Sequence, residues 1–472
     1  MTRLATNGRA LAAAALASAV AACATTPQYL KSYEQGDLVA AEQGLDETIA
    51  DETALPVEEV RVDGRAPNCD VKDADLGLLF LDKAMLRLTQ GDPKTALEWM
   101  RTVRPALDSA YVDSFAEYLG NMQSIALGDS ADEYRGADYE HLLVRVMLTL
   151  ADVLAQRADY RAYAFQIGEK QEEILGSDFG SEAGYNPREG YTRVAIGAYL
   201  EGLVREGEYQ PSEARISYER AQQYLPDSTL IAEGLARTTE GAFAPEGHGA
   251  VHVFYLGGRG PTLDEQLISP DAEVVVALAK AAVVILEELF EDQLDLSPFF
   301  QDLVPLPKVV VHDANVPQLV VREATTGTEA RAELLLDVNA VAQEQLEANK
   351  PMLLTRAVLR RALKAYAASK IDGGDSLWGE IFSFGSTVIE RADTRNWATL
   401  PAQIQAARIT LPEGTHTLSL GDGMETSVNV RAQYDTFVLV AQPFLARTGT
   451  VVVDSTSRDY YGAGTTSAPA AP

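Results

Sequence analysis

Cysteine and histidine are scarce in this sequence. Its 472 residues include two cysteines, Cys23 and Cys69, and five histidines. A structural zinc site requires four ligands, and His248 and His252, which would face one side of a strand, have no cluster of carboxylates beside them. Cys69 has no partner for a disulfide if Cys23 carries a lipid, as argued below. The sequence therefore predicts no internal disulfide, no metal site and no cofactor.

Basic residues are also in deficit. The chain has 39 lysines and arginines against 69 aspartates and glutamates, a formal net charge of −30. Such a surface repels nucleic-acid phosphates and anionic lipids, so neither is expected as a broad partner. The most basic patch is Arg356, Arg360 and Lys364, four residues apart on one face of a predicted helix. These side chains could bind a carboxylate or phosphate, but solvation or pairing with the protein's own acids is the interpretation that we favour.

Long apolar runs are missing as well. Residues 10–22 and residues 274–286 each form a run of thirteen, whereas a membrane-spanning helix needs about 20 residues. The second run carries Lys280 and is predicted to be a buried helix. The first run follows Arg3 and Arg9 and ends in small residues, which is typical of a secretory signal.

Residues 20–23, with the sequence Val-Ala-Ala-Cys, resemble the lipobox of bacterial lipoproteins. The resemblance implies that residues 1–22 are removed as a signal peptide and that Cys23 carries a diacylglyceryl group and an N-acyl chain. Several acyl chains hold a protein firmly to a membrane. Ala24 is not aspartate, so the inner-membrane retention signal of enteric bacteria is absent, which favours the periplasmic side of the outer membrane. An ordinary Ala-x-Ala secretion site is the alternative.

Residues 23–241 have the pattern of paired helices. Short turns such as Gly91-Asp92 and Gly207-Glu208 recur, and each is followed by small or apolar residues that let two helices pack closely. The expected fold is a divergent solenoid, with an irregular bundle as the alternative, and its tyrosines are expected mostly in the core. The spacing that resembles the second helix of a tetratricopeptide repeat is that of Ala214, Tyr218, Ala221 and Pro226.

The second half mixes strands and helices. Residues 245–405 are predicted as a mixed α+β domain, and residues 406–460 as its sheet-rich part, a small antiparallel sheet or sandwich. Three local expectations are a tight turn at residues 257–261 after a strand, a long helix that begins at Pro351, and a hairpin over residues 406–420. Residues 461–472 are expected to be a disordered tail. The fold class is thus α+β, with a tetratricopeptide-like helical part first.

One short block suggests catalysis. Residues 374–377 spell Gly-Asp-Ser-Leu, the nucleophile block of an esterase and lipase family. In that family the serine follows a buried strand, and a late aspartate three residues before a histidine completes the triad. Here Ser376 follows a predicted helix end, and the nearest late pair is Glu413 and His416 in the predicted hairpin turn. An envelope hydrolase acting through Ser376 is therefore the alternative to a non-enzymatic protein.

Most of the mature chain resembles an uncharacterised family of bacterial envelope lipoproteins with a tetratricopeptide-like first half and a β-containing second half. That family has no established activity or active site. The function that we favour is a non-enzymatic, lipid-anchored periplasmic scaffold that uses its helical repeats to bind envelope proteins, other lipoproteins among them. Asp393, Arg395 and Trp397 are the first candidates for a contact site, although a buried tryptophan beside an ion pair explains them equally. The resemblance is carried by the lipobox and by residues 134–140, 251–261, 393–401 and 411–416.

Overall fold

The computed structural model describes residues 26–60, 75–111, 134–181, 184–240, 244–269, 273–290, 303–369, 391–421 and 423–454. The predicted signal segment with Cys23, Cys69, the block around Ser376 and the predicted tail lie outside these residues. The side chain of Lys364 lies outside them as well. The chain forms two compact units, residues 1–57 and residues 58–472.

The described part of the first unit is a pair of packed helices, α1 (Gln28–Glu34) and α2 (Leu38–Thr53). The Asp37 side chain accepts a hydrogen bond from the Ala40 N–H (3.0 Å), which caps the start of α2. Gly44 faces Tyr29 so closely that a Cβ there would lie 3.3 Å from the Tyr29 Cβ. The turn predicted from the sequence therefore joins two closely packed helices.

The second unit begins with helices that pack mainly on their neighbours in sequence, as the repeated turns predict. At the Gly91-Asp92 turn, the Asp92 side chain caps α4 by accepting from the Thr95 N–H (3.1 Å), and Pro93 is the first helical residue. The helices are α3 (Leu76–Thr89), α4 (Pro93–Ala110), α5 (Asp138–Leu154), α6 (Tyr160–Leu175), α7 (Ile196–Gly207), α8 (Pro211–Tyr224) and α9 (Thr229–Glu240).

Tyr218 of α8 shows why small residues recur in these helices. Its ring is fully buried between Gly202 of α7 and Gly234 of α9. A Cβ on either glycine would come within 2.9 Å of the ring. The Tyr218 hydroxyl donates to the buried Glu206 carboxylate (2.6 Å), which fixes the ring in place. Three helices can approach one another here only because two of them carry glycine.

The remaining elements form three sheets and two further helices. The strands are β1 (His248–Arg259), β2 (Thr262–Ile268), β3 (Val304–Val310), β4 (Val320–Glu323), β5 (Glu329–Arg331), β6 (Glu333–Asp337), β7 (Pro401–Pro412), β8 (Gly414–Ser419), β9 (Glu425–Val430), β10 (Asp435–Gln442) and β11 (Thr450–Val453). The helices are α10 (Glu273–Phe290) and α11 (Val338–Ser369). The sheet orders are β11-β10-β1-β7-β6, β5-β4-β8-β9 and β2-β3, and among these described strands only β1 and β10 pair in parallel.

The two larger sheets pack face to face. Val251, Val253 and Tyr255 of β1 share one apolar core with Leu418 of β8 and Val428 of β9. The opposite face of the five-stranded sheet meets the helices, and β1 is buried along almost its whole length. The second unit is therefore layered as helices, sheet and sheet, which confirms the α+β class and the sandwich.

The structure corrects the expected hairpin. Strand β7 pairs with β1 and β6, and β8 pairs with β4 and β9, so these consecutive strands belong to different sheets. The chain crosses between them at Glu413, whose N–H donates to the Gly247 carbonyl (2.9 Å), and at Gly414, where φ is +143°. Glycine tolerates this backbone conformation. The chain therefore passes from one sheet to the other at this point instead of closing a hairpin.

The predicted turn at residues 257–261 and the helix predicted to begin at Pro351 have other bounds in the structure. Strand β1 continues through Arg259, because it stays paired with β7 as far as Pro401, so only residues 260–261 separate it from β2. Helix α11 begins at Val338, where the Asp337 side chain accepts from the Ala340 N–H (3.0 Å), and Pro351 lies inside it. The carbonyl that loses its N–H partner is that of Glu347, an exposed residue.

The apolar run at residues 274–286 forms helix α10, as predicted, but this helix is buried on one side only, and Val284 is 57% exposed. Val275 is buried against Val304 and Leu354, and Lys280 is exposed. In the described parts of the chain, no helix is both long and apolar enough to cross a bilayer.

Alanine substitution at two helical glycines should change the free energy of unfolding in opposite directions, because only one of them packs on Tyr218. We expect Gly202→Ala to lower the free energy of unfolding by about 1–2 kcal/mol, because the new methyl group would displace the Tyr218 ring. Gly168→Ala in α6 is the matched control, because a Cβ there meets nothing within 4 Å. It should raise the free energy by about 0.5–1 kcal/mol through helix propensity. Urea denaturation measures both, and the same sign for both variants would contradict this packing.

Candidate functional site

A cleft of about 300 Å³ lies beside the start of α5, within the second unit. This volume is at the lower end of the range of small-molecule sites, about 300–1,000 Å³. Two segments singled out in the sequence contribute to its lining: residues 134–140, and Asp393, Arg395 and Asn396. The lining also includes Tyr111, Phe179, Arg188, Pro261, Leu263, Pro307, Val309 and, from α11, Ala342, Gln345, Leu346, Asn349, Leu353 and Arg356.

The Glu140 carboxylate joins the two segments. It is buried and accepts hydrogen bonds from the hydroxyls of Tyr134 and Tyr139 (3.3 Å from the latter). It also accepts from the backbone N–H groups of Ala137 (2.8 Å) and Trp397 (2.8 Å). One carboxylate thus ties the beginning of α5 to the loop before β7.

Glu140 is placed for structure rather than for proton transfer. Burial raises the pKa of its carboxyl, although the hydrogen bonds from Tyr134 and from the Trp397 N–H oppose that rise. Burial and the nearby Glu140 charge also raise the pKa values of Tyr134 and Tyr139, so both phenols keep their protons. A general base must reach the proton that it removes, and the oxygens of Glu140 are already occupied by four donors.

Gly136 allows the chain at residues 134–140 to turn. Its φ is +71°, a conformation that a side chain disfavours, and a Cβ there would lie 3.0 Å from the Leu107 Cδ1. This turn brings Tyr134 back to Glu140. The Tyr-x-Gly-x-x-Tyr-Glu spacing is therefore the sequence signal of the bonded cluster.

Ion pairs and hydrogen bonds join the loop at residues 393–399 to α3 and to the β1–β2 region. Arg395 pairs with Asp393 (2.7 Å) and with Asp75 at the start of α3 (2.9 Å). The Asn396 side chain accepts from the Leu263 N–H (3.2 Å) and donates to the Pro261 carbonyl (2.9 Å). The loop therefore forms a fixed wall of the cleft.

Trp397 lies behind this wall in the core, and its side chain is fully buried. Two residues further on, the Thr399 hydroxyl donates to the buried Asp82 carboxylate of α3 (2.7 Å). Of the two sequence interpretations, this geometry is that of a buried tryptophan beside an ion pair. Asp393 and Arg395 line the cleft, whereas the buried Trp397 is not among its described lining residues.

Arg188 forms a cationic and aromatic end of the cleft. Its guanidinium pairs with Asp138 through two contacts (3.0 and 3.1 Å) and lies over the rings of Phe179 (4.5 Å) and Tyr111 (5.0 Å). Lys170 approaches the Tyr111 ring from another side, at 3.6 Å. Sequence reasoning missed Arg188, because it lies in the glycine-rich loop between two helices and has no distinctive spacing.

Helix α11 contributes a single stripe, in which lining residues follow one another at intervals of one, three or four. Gln345 accepts from the Tyr139 N–H (2.8 Å), and Asn349 donates to the Tyr191 hydroxyl (2.6 Å). Arg356 stands at the end of the stripe and is only 3% exposed. Its neighbour Arg360 is 4% exposed. Solvation, one of the two interpretations of this basic patch, is therefore wrong for Arg356 and Arg360, because α11 packs them against the protein.

Two histidines that the sequence analysis considered, His252 and His416, each lie beside a carboxylate outside the cleft. His252 Nε2 lies 3.0 Å from Asp435 Oδ1, and the His252 ring stacks on Phe437. His416 Nδ1 lies 3.4 Å from Glu323 Oε1. Within the parts of the chain that are described, no three histidine, cysteine, aspartate or glutamate side chains cluster as metal ligands.

The chemistry of the described lining determines what a ligand would meet in the cleft. Among its described residues, none is serine, threonine, cysteine, lysine or histidine, the usual nucleophiles and bases. The lining carboxylates are Asp138 and Asp393, each paired with an arginine, and the enclosed Glu140. A ligand would therefore meet apolar surface, aromatic rings and guanidinium groups.

Comparison of the chain with protein families, with curated proteins and with solved structures finds no match.

The bonding of Glu140 predicts that its isosteric amide is harmful. In Glu140→Gln, an NH₂ group would replace one acceptor oxygen and face N–H or O–H donors. We expect the free energy of unfolding to fall by about 2 kcal/mol or more, because buried donors lose their acceptor. The control is Glu169→Gln on the exposed side of α6, which should change it by less than about 0.5 kcal/mol. Equal stability of the two variants in urea denaturation would show that the cluster does not hold the fold.

Proposed function

We propose that the protein is a non-catalytic, lipid-anchored binding protein of the bacterial envelope. A lipid on Cys23 holds it at the periplasmic side of the outer membrane, where it contacts other envelope proteins, lipoproteins among them. The cleft beside α5 is the place of recognition. The resemblance to envelope lipoproteins supports the compartment, and the lining of the cleft supports binding without catalysis.

The single observation that carries the proposal is the composition of the cleft. It is large enough for a small ligand or the end of a larger one, and its described lining has no exposed nucleophile or free general base. Its walls are also held in place before any ligand arrives, by Glu140, Arg395 and Gln345. Preorganised walls lower the entropic cost of binding.

The inner face of the helical repeats is a less suitable binding surface. Repeat proteins usually bind partners on the extended surface that their stacked helices form. Here α3 and α5 contact β10, and Leu200 and Leu203 of α7 face Phe254 of β1 and Phe437 of β10. The protein's own sheet covers this face of the helices. We therefore assign recognition to the cleft.

A crosslinking experiment in cells tests the cleft directly. A photo-reactive residue at Leu263, which lines the cleft and is partly exposed, should give adducts that mass spectrometry detects. Leu346→Trp fills the cleft from α11 and should abolish these adducts. The same photo-reactive residue at Ile216, which is 54% exposed on α8, should give no adduct that responds to Leu346→Trp.

Adducts at Leu263 that persist when the cleft is filled would exclude it as the recognition site. Absence of any adduct at Leu263 would exclude it as well. The thermal stability of Leu346→Trp, measured alongside, separates a filled cleft from an unfolded protein.

The anchor has its own test. Cells fed a labelled fatty acid should incorporate the label into this protein, and Cys23→Ser should abolish both the label and the membrane association. The physical reason is that acyl chains supply the binding, at about 0.8 kcal/mol for each buried methylene. A Cys69→Ser variant is the control and should remain labelled. Firm membrane association of the unlabelled Cys23→Ser protein would refute the lipid anchor.

A further inference from the structure

Two side-chain amides of α11, those of Gln345 and Asn349, line the cleft. They are four residues apart, so they lie on the same face of the helix, one turn from each other. Gln345 is only 6% exposed, and Asn349 is partly buried. A ligand in the cleft therefore meets both amides at once.

Hydrogen bonds within the protein fix the orientation of both amides. Gln345 Oε1 accepts from the Tyr139 N–H (2.8 Å), so the NH₂ group is the other end of this amide. The Asn349 NH₂ group donates to the backbone carbonyl of Gln345 (2.8 Å) and to the Tyr191 hydroxyl (2.6 Å). Because a backbone N–H only donates and a carbonyl only accepts, neither amide can be turned over.

One end of each amide remains open to a ligand. Among the described residues, the Gln345 NH₂ group has no acceptor and Asn349 Oδ1 has no donor. Neither belongs to the unpartnered polar atoms that the protein encloses completely, so both stay accessible beside the cleft. A ligand that covers them without bonding to them would lose binding energy, because it would displace their water. The site therefore requires one acceptor and one donor from its ligand.

The charged side chains of the described lining, by contrast, already interact with the protein itself. A charged ligand would have to break these interactions or remain unpaired, and both are costly away from water. The ligand is therefore expected to be uncharged. The engaged groups are Arg188 with Asp138, Arg395 with Asp393 and Asp75, Glu140 with its four donors, and also Arg135 and Arg356.

An apolar wall lies beside the two amides. Leu263 of β2 and Val309 of β3 are register partners, and both line the cleft with Pro307. Leu346 and Leu353 of α11 extend this wall along the helix that carries the amides. A ligand with an apolar body gains from burial of its surface against this wall.

A single carboxamide fits the open donor and acceptor. Its carbonyl oxygen accepts from the Gln345 NH₂ group, and its own N–H donates to Asn349 Oδ1. A peptide presents several successive amides, and recognition of its backbone needs a matching row of donors and acceptors. The amide of Asn396, elsewhere in the lining, is bonded at both ends to the β1–β2 region. One amide on an apolar body is therefore a better match than a peptide.

We infer that the cleft binds an uncharged acyl amide, with its carbonyl at Gln345, its N–H at Asn349 and its apolar chain along the wall of leucines. This inference rests on the proposed binding function and names its ligand class. Such an amide occurs in a free fatty amide and in the N-acylated end of a lipoprotein. The mass of the adduct at the photo-reactive Leu263 position distinguishes these two sources.

Calorimetric titration with matched eight-carbon probes tests the inference. The protein is the mature chain with Cys23→Ser, which removes its own acyl chains as competitors. Octanamide should bind, whereas octanoate and octylamine should bind at least about tenfold more weakly, because each brings a charge into the cleft. N,N-dimethyloctanamide keeps the carbonyl and lacks the N–H, so it should also bind about tenfold more weakly than octanamide.

Substitution of Gln345 assigns the contact. Gln345→Glu keeps an oxygen for the Tyr139 N–H and replaces the open NH₂ group with a second oxygen. It should weaken octanamide binding about tenfold and strengthen octylamine binding about tenfold. The control Gln223→Glu adds the same charge at an exposed position of α8 and should change neither. If thermal melting shows that Gln345→Glu does not fold, the order of the four probes on the unsubstituted protein decides.

Other results overturn the inference in distinguishable ways. Equal binding of octanamide and its dimethyl derivative, or tighter binding of octanoate, removes the amide but leaves a binding cleft. Tighter binding of N-acetyl-trileucine amide than of octanamide replaces the single amide by a peptide. No binding of any probe, with Leu263 adducts still lost in Leu346→Trp cells, removes the acyl amide and leaves the proposed function. No probe binding and no such adducts remove both.

Discussion

The arrangement around the cleft depends on one buried carboxylate, that of Glu140, which needs hydrogen-bond donors from distant parts of the chain. Glu140 accepts from two phenols and two backbone N–H groups, one of them 257 residues away at Trp397. A buried charge or polar group without partners is costly, so these donors must remain together when the protein folds. The beginning of α5 and the loop before β7 consequently have one relative position. The shape of the cleft between them follows from that position.

The layered architecture determines which surfaces are available for recognition. Strand β1 is buried on both faces, because the helices cover one side and the four-stranded sheet covers the other. The helical repeats use their inner face to complete a core, which stabilises the unit at the cost of a binding surface. Recognition is then expected at the margin of the layers, where α5, α11 and the β2–β3 pair meet around the cleft. Ligand sites commonly lie where structural layers meet.

Charge is distributed unevenly in this protein. The chain as a whole is strongly acidic, and such a charge favours solubility and repels phosphate-rich polymers. Around the cleft, acids and arginines are matched into defined pairs, such as Arg188 with Asp138 and Arg395 with Asp393. These pairs hold the walls and are partly shielded from solvent.

Local pattern was sufficient for the paired helices of the first half and for the α+β class. Turn residues, caps and apolar spacing act over a few neighbouring residues, so they can be recognised in the chain itself, as at Gly91-Asp92 and Gly136. Tertiary contacts decided which strands pair, so β7 and β8 separate into different sheets. Tertiary contacts also buried Arg356 and placed Arg188 beside Asp138 in the cleft. Local spacing does not specify such surroundings, because they depend on residues far away in sequence.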